Sequence, residues 1–251
     1  MEELYLEKNE NQIEGRNAIL EALRNDRDME KLFVLRGNVE GTIKKIIAQA
    51  AQKGVVIQEV SRQKLDELSQ TKNHQGVIAF VSCHNYVEVE DILQRAKDKG
   101  EPPFIVLLDG ITDTHNLGAI IRTAECAGAH GVIIPKRRSV GLNATVAKTS
   151  AGAIEYMPVA RVTNIVKTME QLKKQGLWFA CADMKGLDYF DTDMKGAIGL
   201  VIGSEGDGVS RLVKENCDFT VAIPMYGKIA SLNASVAAGL LMYEIVRQRK
   251  F

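Results

Sequence analysis

Three segments in the C-terminal part of the chain combine residue types that can do chemistry, and each follows an apolar run. The segment after FIVLLDG contains Asn116 and Arg122. The segment after AIGLVIG is a glycine-rich turn, and the segment after FTVAIPM places Ser231 and Asn233 just before a small-residue helix. A guanidinium matches phosphate oxygens in pairs, and polar side chains at a helix start suit phosphates and carbonyls. These types predict recognition of a phosphate-bearing ligand.

Each of these features also has a plainer interpretation. Arg122 lies in the apolar sequence AIIRTAECA, where it is either an amphipathic surface residue or a partnered, functional one. Ser231 and Asn233 are both good helix caps, and Glu205 could be a solvent-facing turn residue. His115, beside Asn116, is a possible general base because histidine titrates near neutral pH.

The glycine-rich turn, GSEGDG, invites comparison with dinucleotide-binding loops. Its spacing is not G-x-G-x-x-G, and it follows a late strand instead of opening the first strand-helix turn. A nucleotide-dependent oxidoreductase is therefore disfavoured. A tight glycine turn can still bring backbone close to an adenosine group.

Basic side chains form one dense run, Lys136, Arg137 and Arg138, followed by Lys148. Such a run is often only a solvated face, but this one follows the apolar strand GVIIP on the side where a ligand is expected. A basic run at this edge is a candidate contact for a nucleic-acid backbone. Arg16 and Lys72 are further candidate RNA contacts near the N-terminus.

The elements that position these residues are predicted by hydrophobic patterning. From Phe104 onward, five nearly continuous apolar runs alternate with amphipathic helical patterns, which is typical of parallel strands covered on both faces. We predict a doubly wound α/β domain over residues 104–251. Ligands of such sheets bind at the carboxyl ends of the strands, where all three polar segments fall.

The N-terminal part alternates shorter helical and strand patterns and predicts a separate, small α/β domain over residues 1–84. Residues 85–103 are charged and end in DKGEPP. This composition predicts a linker with one short helix over residues 89–99.

Composition sets limits on the class of protein. The chain has 251 residues, with 32 lysines and arginines balanced by 32 aspartates and glutamates, so any binding of nucleic acid must come from local clusters of charge. With 45% hydrophobic residues, wholesale disorder is excluded. No apolar run is long enough for a membrane span, the N-terminus does not resemble a secretory signal, and the four dispersed cysteines do not suggest a metal site. We expect a cytoplasmic protein without metal.

Taken together, NLGAIIRTA, LVIGSEGDGVS and IPMYGKIASLNASVAAGLLMYE resemble the three signature motifs of the SpoU (TrmH) family of RNA ribose 2′-O-methyltransferases, within the SPOUT superfamily. The resemblance covers residues 103–251 in the right order. Further segments, EGRNAILEAL, NHQGVIAFV and PKRRSVGLNATVAKTSAGAIE, resemble the RlmB-like branch, whose members modify a guanosine in 23S ribosomal RNA. Related members act on tRNA or other ribosomal sites, so those substrates stay open, as does a non-catalytic RNA-binding assembly factor of the same fold.

The resemblance implies an α/β methyltransferase domain with a deep trefoil knot, a homodimer, and S-adenosylmethionine as cofactor. It implies that backbone groups near Gly203, Ile223 and Leu232 hold the cofactor. It also implies that the N-terminal domain is a small RNA-binding domain of the kind found in ribosomal proteins. The catalytic group implied by the motifs consists of Asn116, Arg122, Glu205, Ser231 and Asn233.

We expect Arg122 to bind the phosphate beside the target ribose, because arginine keeps its proton too firmly to act as a base. We expect Glu205 to hold Arg122 in place, since a carboxylate is the natural partner of a guanidinium.

Overall fold

A computed structural model describes residues 11–37 and 41–250, and the chain divides into two units. The first comprises the described residues up to 85 together with 141–144, and the second comprises residues 86–140 and 145–250.

The first unit is built on a four-stranded sheet. Its elements are β1 Gln12–Glu14, α1 Arg16–Arg24, β2 Met29–Leu35, α2 Gly41–Gln52, β3 Val56–Val60, α3 Arg62–Leu68 and β4 Val77–Val81. The strand order is β1-β4-β2-β3, in which β2 and β3 are parallel and the other neighbours antiparallel. Helices α1 and α2 bury Ile19, Leu23, Ile43 and Ile46 against β2 and β4, as their helical spacing of apolar residues predicts.

The second unit is an α/β fold with a six-stranded, fully parallel sheet. Its elements are α4 Val89–Asp98, β5 Phe104–Asp109, α5 Thr114–Cys126, β6 Gly131–Pro135, α6 Ala144–Thr149, β7 Val159–Val162, α7 Ile165–Lys173, β8 Trp178–Asp188, β9 Ile198–Gly203, α8 Arg211–Glu215, β10 Phe219–Ala222 and α9 Ala234–Lys250. The strand order is β10-β8-β9-β5-β6-β7. The predicted α/β class with a parallel sheet is confirmed.

The segment expected to be a linker is part of the second unit. Helix α4 buries Ile92 completely in the same apolar cluster as Ile105 and Leu107 of β5. Ile92 lies so close to Gly131 that a Cβ there would come within 2.5 Å of it. The charged residues that suggested a linker form the outer face of an amphipathic helix.

Helix α5 is fixed on two sides within the second unit. At Gly118, a Cβ would come within 1.8 Å of Thr149 Oγ1. On another side α5 packs along α9, where the Cβ position of Gly239 lies 3.6 Å from Thr123 Cγ2. These close approaches fix the position of the helix that carries Asn116.

The end of α9 is tied to the residues just before β5 and to the loop before β9. Arg249 donates to the carbonyl oxygens of Pro102 at 3.1 Å, Pro103 at 3.0 Å and Gly196 at 2.6 Å. Its guanidinium also lies over the Phe104 ring, 5.3 Å from the centroid. Burial lowers the pKa of Arg249.

Among the described residues, no helix is long and apolar enough to cross a membrane.

Candidate active site

The site lies where β5 and β9 end side by side. These strands are parallel neighbours, and Asp109 at the end of β5 is paired with Gly203 at the end of β9. The loops that follow both strands therefore emerge at one edge of the sheet, as expected for a doubly wound fold. The first loop leads into α5, whose N-cap Asp113 accepts a hydrogen bond from the His115 backbone N–H at 2.8 Å.

The glycine-rich turn after β9 is closed by its own hydrogen bonds. The backbone N–H of Ser204 donates to the Gly208 carbonyl at 3.1 Å, and the reverse bond is 3.0 Å. A Cβ at Gly203 would come within 2.0 Å of the Gly208 carbonyl carbon, so this position requires glycine. The turn presents Glu205 from a fixed backbone.

Three side chains meet at this edge through direct hydrogen bonds. Asn116 donates from Nδ2 to Glu205 Oε1 at 3.0 Å, and its Oδ1 accepts from Asn233 Nδ2 at 2.9 Å. Asn233 Nδ2 also donates to Glu205 Oε1. Asn116 is 5% exposed. Each amide is oriented by the other two members, so we call these three residues the Asn-Glu-Asn cluster.

Asn233 also starts the last helix. Its Oδ1 accepts from the backbone N–H of Ser235 at 3.0 Å and of Val236 at 3.3 Å. Its carbonyl accepts from the N–H of Ala237 at 3.0 Å. The capping role and the site role, which the sequence offered as alternatives, are filled by one side chain at the same time.

The expected pairing of Arg122 with Glu205 is wrong in this structure. Arg122 is exposed, and no hydrogen bond or ion pair to it is found within residues 11–37 and 41–250. The reason is the position of Arg122 on α5, six residues after Asn116. At about 100° per residue, this spacing is one full turn plus about 240°, so the two side chains leave the helix on different faces. Ser231 is likewise exposed and outside the Asn-Glu-Asn cluster.

A cavity of about 420 Å³ adjoins the cluster. It is lined by residues of both loops and by one arginine: Asp109, Gly110, Ile111, Thr112, Asp113, Asn116, Arg138, Ser204, Glu205, Gly206, Asp207, Gly208 and Ser210. The three aspartates were not singled out from the sequence. The signal for Asp109 was available, because it is the last residue of an apolar strand at the carboxyl edge, and here it accepts from the Ser210 N–H at 2.7 Å.

The positions implied for the cofactor do not line this cavity. Gly203 ends β9, and Ile223 and Leu232 border the segment between β10 and α9. In the described part of the chain, no hydrogen bond reaches the backbone of residues 223–232. Unpaired N–H and C=O groups of this kind can hold the polar edge of an adenine, so the residues present fit S-adenosylmethionine.

The predicted RNA contacts are distributed over both units. Arg137, Arg138 and Lys148 are exposed and Lys136 is half-buried in the second unit. In the first unit Lys72 is exposed with a φ of 57°, and Arg16 donates from Nε to the Gln75 carbonyl at 3.1 Å.

In the part of the chain that the structure describes, no group of histidine, cysteine, aspartate and glutamate side chains could hold a metal ion.

His130, which the sequence suggests is an ordinary surface or strand-end residue, is completely buried. Its Nδ1 accepts from the Phe104 N–H at 3.0 Å, and its Nε2 lies 3.1 Å from Glu101 Oε2. Burial lowers the pKa of His130, although the Glu101 carboxylate opposes that shift.

The second unit has a parallel sheet with a polar cluster and an adjoining cavity at its carboxyl edge. This arrangement is typical of α/β enzymes that bind their ligands between the loops at the strand ends. Comparison with known proteins identifies the family. Residues 103–243 match the SpoU rRNA Methylase family, and residues 12–87 match the family described as RNA 2'-O ribose methyltransferase substrate binding.

Similar proteins extend over nearly the whole chain. A relative from Bacillus subtilis (strain 168), described as the putative TrmH family tRNA/rRNA methyltransferase YacO, is 50% identical over 94% of each chain. A Staphylococcus haemolyticus relative with the same family description is 46% identical over 94% of this chain and 95% of its own. The crystal structure of the SpoU methyltransferase AviRb from Streptomyces viridochromogenes in complex with AdoMet is similar with a TM-score of 0.61 and 26% identity, over 95% of this chain and 90% of that one.

The chain belongs to the SpoU (TrmH) family of RNA methyltransferases. It is an S-adenosylmethionine-dependent RNA 2′-O-methyltransferase with an N-terminal substrate-binding domain.

Proposed function

We propose that the protein methylates the ribose 2′-hydroxyl of a guanosine in 23S ribosomal RNA, in the cytoplasm. The Asn-Glu-Asn cluster at the ends of β5 and β9 carries the catalytic part of this proposal. The motifs that resemble the RlmB-like branch support the choice of RNA. The Bacillus relative's description names both tRNA and rRNA, which makes tRNA the main alternative.

When bound, the cofactor supplies an electrophilic methyl group, and the protein must align a ribose oxygen with it. Asn116 and Asn233 are held in single orientations by Glu205, and we assign them to positioning the ribose and its phosphate. Ser231, next to the segment proposed for the cofactor, is assigned to the same task. Alignment of reacting atoms can supply several kcal/mol of a barrier.

Arg122 is assigned to the phosphate beside the target ribose. Its guanidinium is exposed and engages no other group among the described residues, so it is available to an RNA phosphate. Because α5 directs Arg122 away from the Asn-Glu-Asn cluster, this role requires the RNA backbone to run along the exposed face of α5, and a phosphate oxygen or water takes the proton of the ribose hydroxyl. Replacing Arg122 with lysine tests the paired contact: activity should fall at least tenfold, and near-normal activity would remove the role.

Six basic side chains are proposed to contact the RNA, and all except Arg138 are proposed to contact its backbone: Arg16, Lys72, Lys136, Arg137, Arg138 and Lys148. Removal of one phosphate contact should reduce the slope of log affinity against log salt by about 0.7 to 0.9. Neutralising Lys136, Arg137 and Lys148 together should therefore flatten the slope by about two to three. An unchanged slope would exclude them from the interface.

We further propose a homodimer formed through α9. Val236, Leu240 and Tyr243 are 50%, 42% and 51% exposed and recur at helical spacing on this helix. An exposed apolar stripe on a packed helix is typical of a protein interface. Leu240→Glu should convert the protein to a monomer in sedimentation experiments, whereas a dimeric variant would place the interface elsewhere.

The trefoil knot is also proposed. It is supported by the path of the chain after β10, which returns so that Asn233 contacts residues following both β5 and β9. The strand order is compatible with a knotted and with an unknotted chain, so the proposal is based on the contacts of Asn233.

One experiment tests the substrate and the reaction together. The protein is incubated with labelled S-adenosylmethionine and with total RNA from cells that do not contain this protein. The methylated nucleotide is then mapped. A 2′-O-methylguanosine in 23S RNA is expected. Label in tRNA would select the alternative substrate, and absence of label beside normal RNA binding would select the assembly-factor interpretation.

A further inference from the structure

The cavity beside the Asn-Glu-Asn cluster has an unusual distribution of hydrogen-bonding groups. Its lining carries four carboxylates, Asp109, Asp113, Glu205 and Asp207, and one guanidinium, Arg138. A volume of about 420 Å³ lies within the usual range for small-ligand sites. Because Asn116 and Glu205 belong both to the lining and to the cluster, the cavity is within reach of the base of a nucleotide whose ribose contacts the cluster.

The carboxylates differ in how many oxygens are available. Asp109 uses Oδ2 for the Ser210 N–H, Asp113 uses Oδ1 as the cap of α5, and Glu205 uses Oε1 for the two asparagines. Within the described residues, Asp207 is the lining carboxylate whose two oxygens have no protein partner. Its backbone is fixed nonetheless, because its N–H donates to Ser204 Oγ at 3.2 Å.

Arg138 is the cationic side chain of the lining. It is exposed and adopts a φ of 57°, a left-handed conformation that a residue with a side chain rarely adopts. Such backbone strain is concentrated at ligand-binding positions. The guanidinium presents paired donors on the same cavity as the free Asp207 carboxylate.

We propose that this cavity reads the base of the target nucleotide, with Asp207 and Arg138 selecting guanine. This inference rests on the proposed function and adds the groups that choose the nucleotide. Guanine alone carries two adjacent donors, N1–H and the N2 amine, on one edge and two adjacent acceptors, O6 and N7, on another. A carboxylate with both oxygens free accepts from the first pair, and an arginine donates to the second. RNA bases outside a helix are commonly recognised on these edges.

The other bases satisfy this arrangement less well. Uracil offers a single edge donor, and adenine and cytosine place an acceptor beside their amine, which a carboxylate repels. Asp207 and Arg138 are thus specificity residues that contact the base, distinct from the groups that position the ribose.

The test uses short RNA transcripts that contain the mapped target nucleotide, with guanosine, inosine or 7-deazaguanosine at that position. Inosine lacks the N2 amine, and 7-deazaguanosine lacks N7. For the unmodified protein we expect kcat/KM to fall about tenfold with each analogue, since each removes one bond of a pair. Equal rates on guanosine and inosine would overturn the assignment.

Matched variants separate a contact with the base from a general loss of activity. Asp207→Asn should remove the preference for guanosine over inosine, and Arg138→Lys should remove the preference over 7-deazaguanosine. Asp207 is exposed and its carboxylate has no hydrogen-bond or ion-pair partner within residues 11–37 and 41–250, so its variant is expected to fold. Glu170→Gln, an exposed carboxylate on α7 outside the cavity, should keep both preferences.

The outcomes distinguish this inference from the function on which it rests. Retention of the tenfold guanosine preference by Asp207→Asn overturns the inference and leaves guanosine methylation intact. Mapping of the methyl group to a nucleotide other than guanosine overturns the proposed nucleotide and this inference together.

Discussion

Replacing Asn116 with aspartate changes the Asn-Glu-Asn cluster by one atom type without changing its size. Asn116 Nδ2 donates to Glu205 Oε1 at 3.0 Å, and the substitution puts a second carboxylate oxygen in place of this donor. Two negative charges at that distance repel by about 5.5 kcal/mol at an effective dielectric constant of 20 and by about 1.4 kcal/mol in water. Because Glu205 is exposed and Asn116 is 5% exposed, the true value lies between these limits.

The repulsion converts into a shift of protonation. Values of about 1.4 to 5.5 kcal/mol correspond to about one to four pKa units, so the pKa of the new carboxyl group rises from about 3.9 to between about 5 and 8. Once protonated, this group can donate to Glu205 as the amide does. Asn116→Asp should therefore be strongly impaired at pH 8.5 and recover activity, relative to the unmodified protein, as the pH falls to 6.

The assay is single-turnover methyl transfer to RNA at saturating cofactor, expressed as the ratio of variant to unmodified protein at each pH. Asn116→Ala is the matched control, because it removes the same donor without adding a titratable group, and its ratio should not change with pH. A pH-independent ratio for Asn116→Asp would refute the assigned contact between Asn116 and Glu205.

Three further predictions concern stability. Burial lowers the pKa of His130, so as the pH falls the unfolded chain takes up a proton near pH 6.5, before the folded protein does. The free energy of unfolding should therefore fall below about pH 6.5, by at most about 1.4 kcal/mol per pH unit from this residue. His130→Gln should show a smaller fall in denaturant titrations. Gly118→Ala should lower the free energy of unfolding by about 1 to 3 kcal/mol, because the new methyl group would overlap Thr149 Oγ1. Arg249→Met should cost about 2 kcal/mol in the same measurement, since three carbonyl oxygens lose a charged donor and the Phe104 ring loses the guanidinium that lies over it.

Each stability prediction has a matched control. For His130→Gln the control is His115→Gln, which makes the same change at an exposed histidine. Gly196→Ala adds a methyl group where no atom lies within 4 Å, and Lys250→Met changes an exposed neighbour of Arg249. If a control variant changes the free energy of unfolding as much as the variant it is matched to, the contact that we assign to the matched residue does not explain the loss of stability.

The sequence predicts the parallel sheet well because buried strands are nearly continuous apolar runs. Strand β6 has the expected bounds, Gly131–Pro135, and β5 and β9 differ by one residue at an end. Strand β7, Val159–Val162, was missed because four residues with an arginine among them give too short an apolar signal. Strand β10 ends at Ala222, three residues before its apolar pattern does.

The place of the site was predictable, but its contacts were not. Strand-end position puts Asn116, Glu205 and Asn233 at one edge, which the structure shows as a single cluster. Which of them pairs with which depends on helix rotation, and the rotation between Asn116 and Arg122 already directs the arginine away from Glu205. Burial of His130 could not be read from the chain because its two hydrogen-bond partners, Phe104 and Glu101, are distant in sequence.

Asn233 serves two structures through one amide group, because its Oδ1 accepts from the first turn of α9 while its Nδ2 donates to Asn116 and Glu205. The start of the last helix and the closure of the cluster are therefore coupled. A substitution at this position should cost about 1 kcal/mol as a lost helix cap and should release the Asn116 amide as well. Stability and activity cannot be tuned separately here.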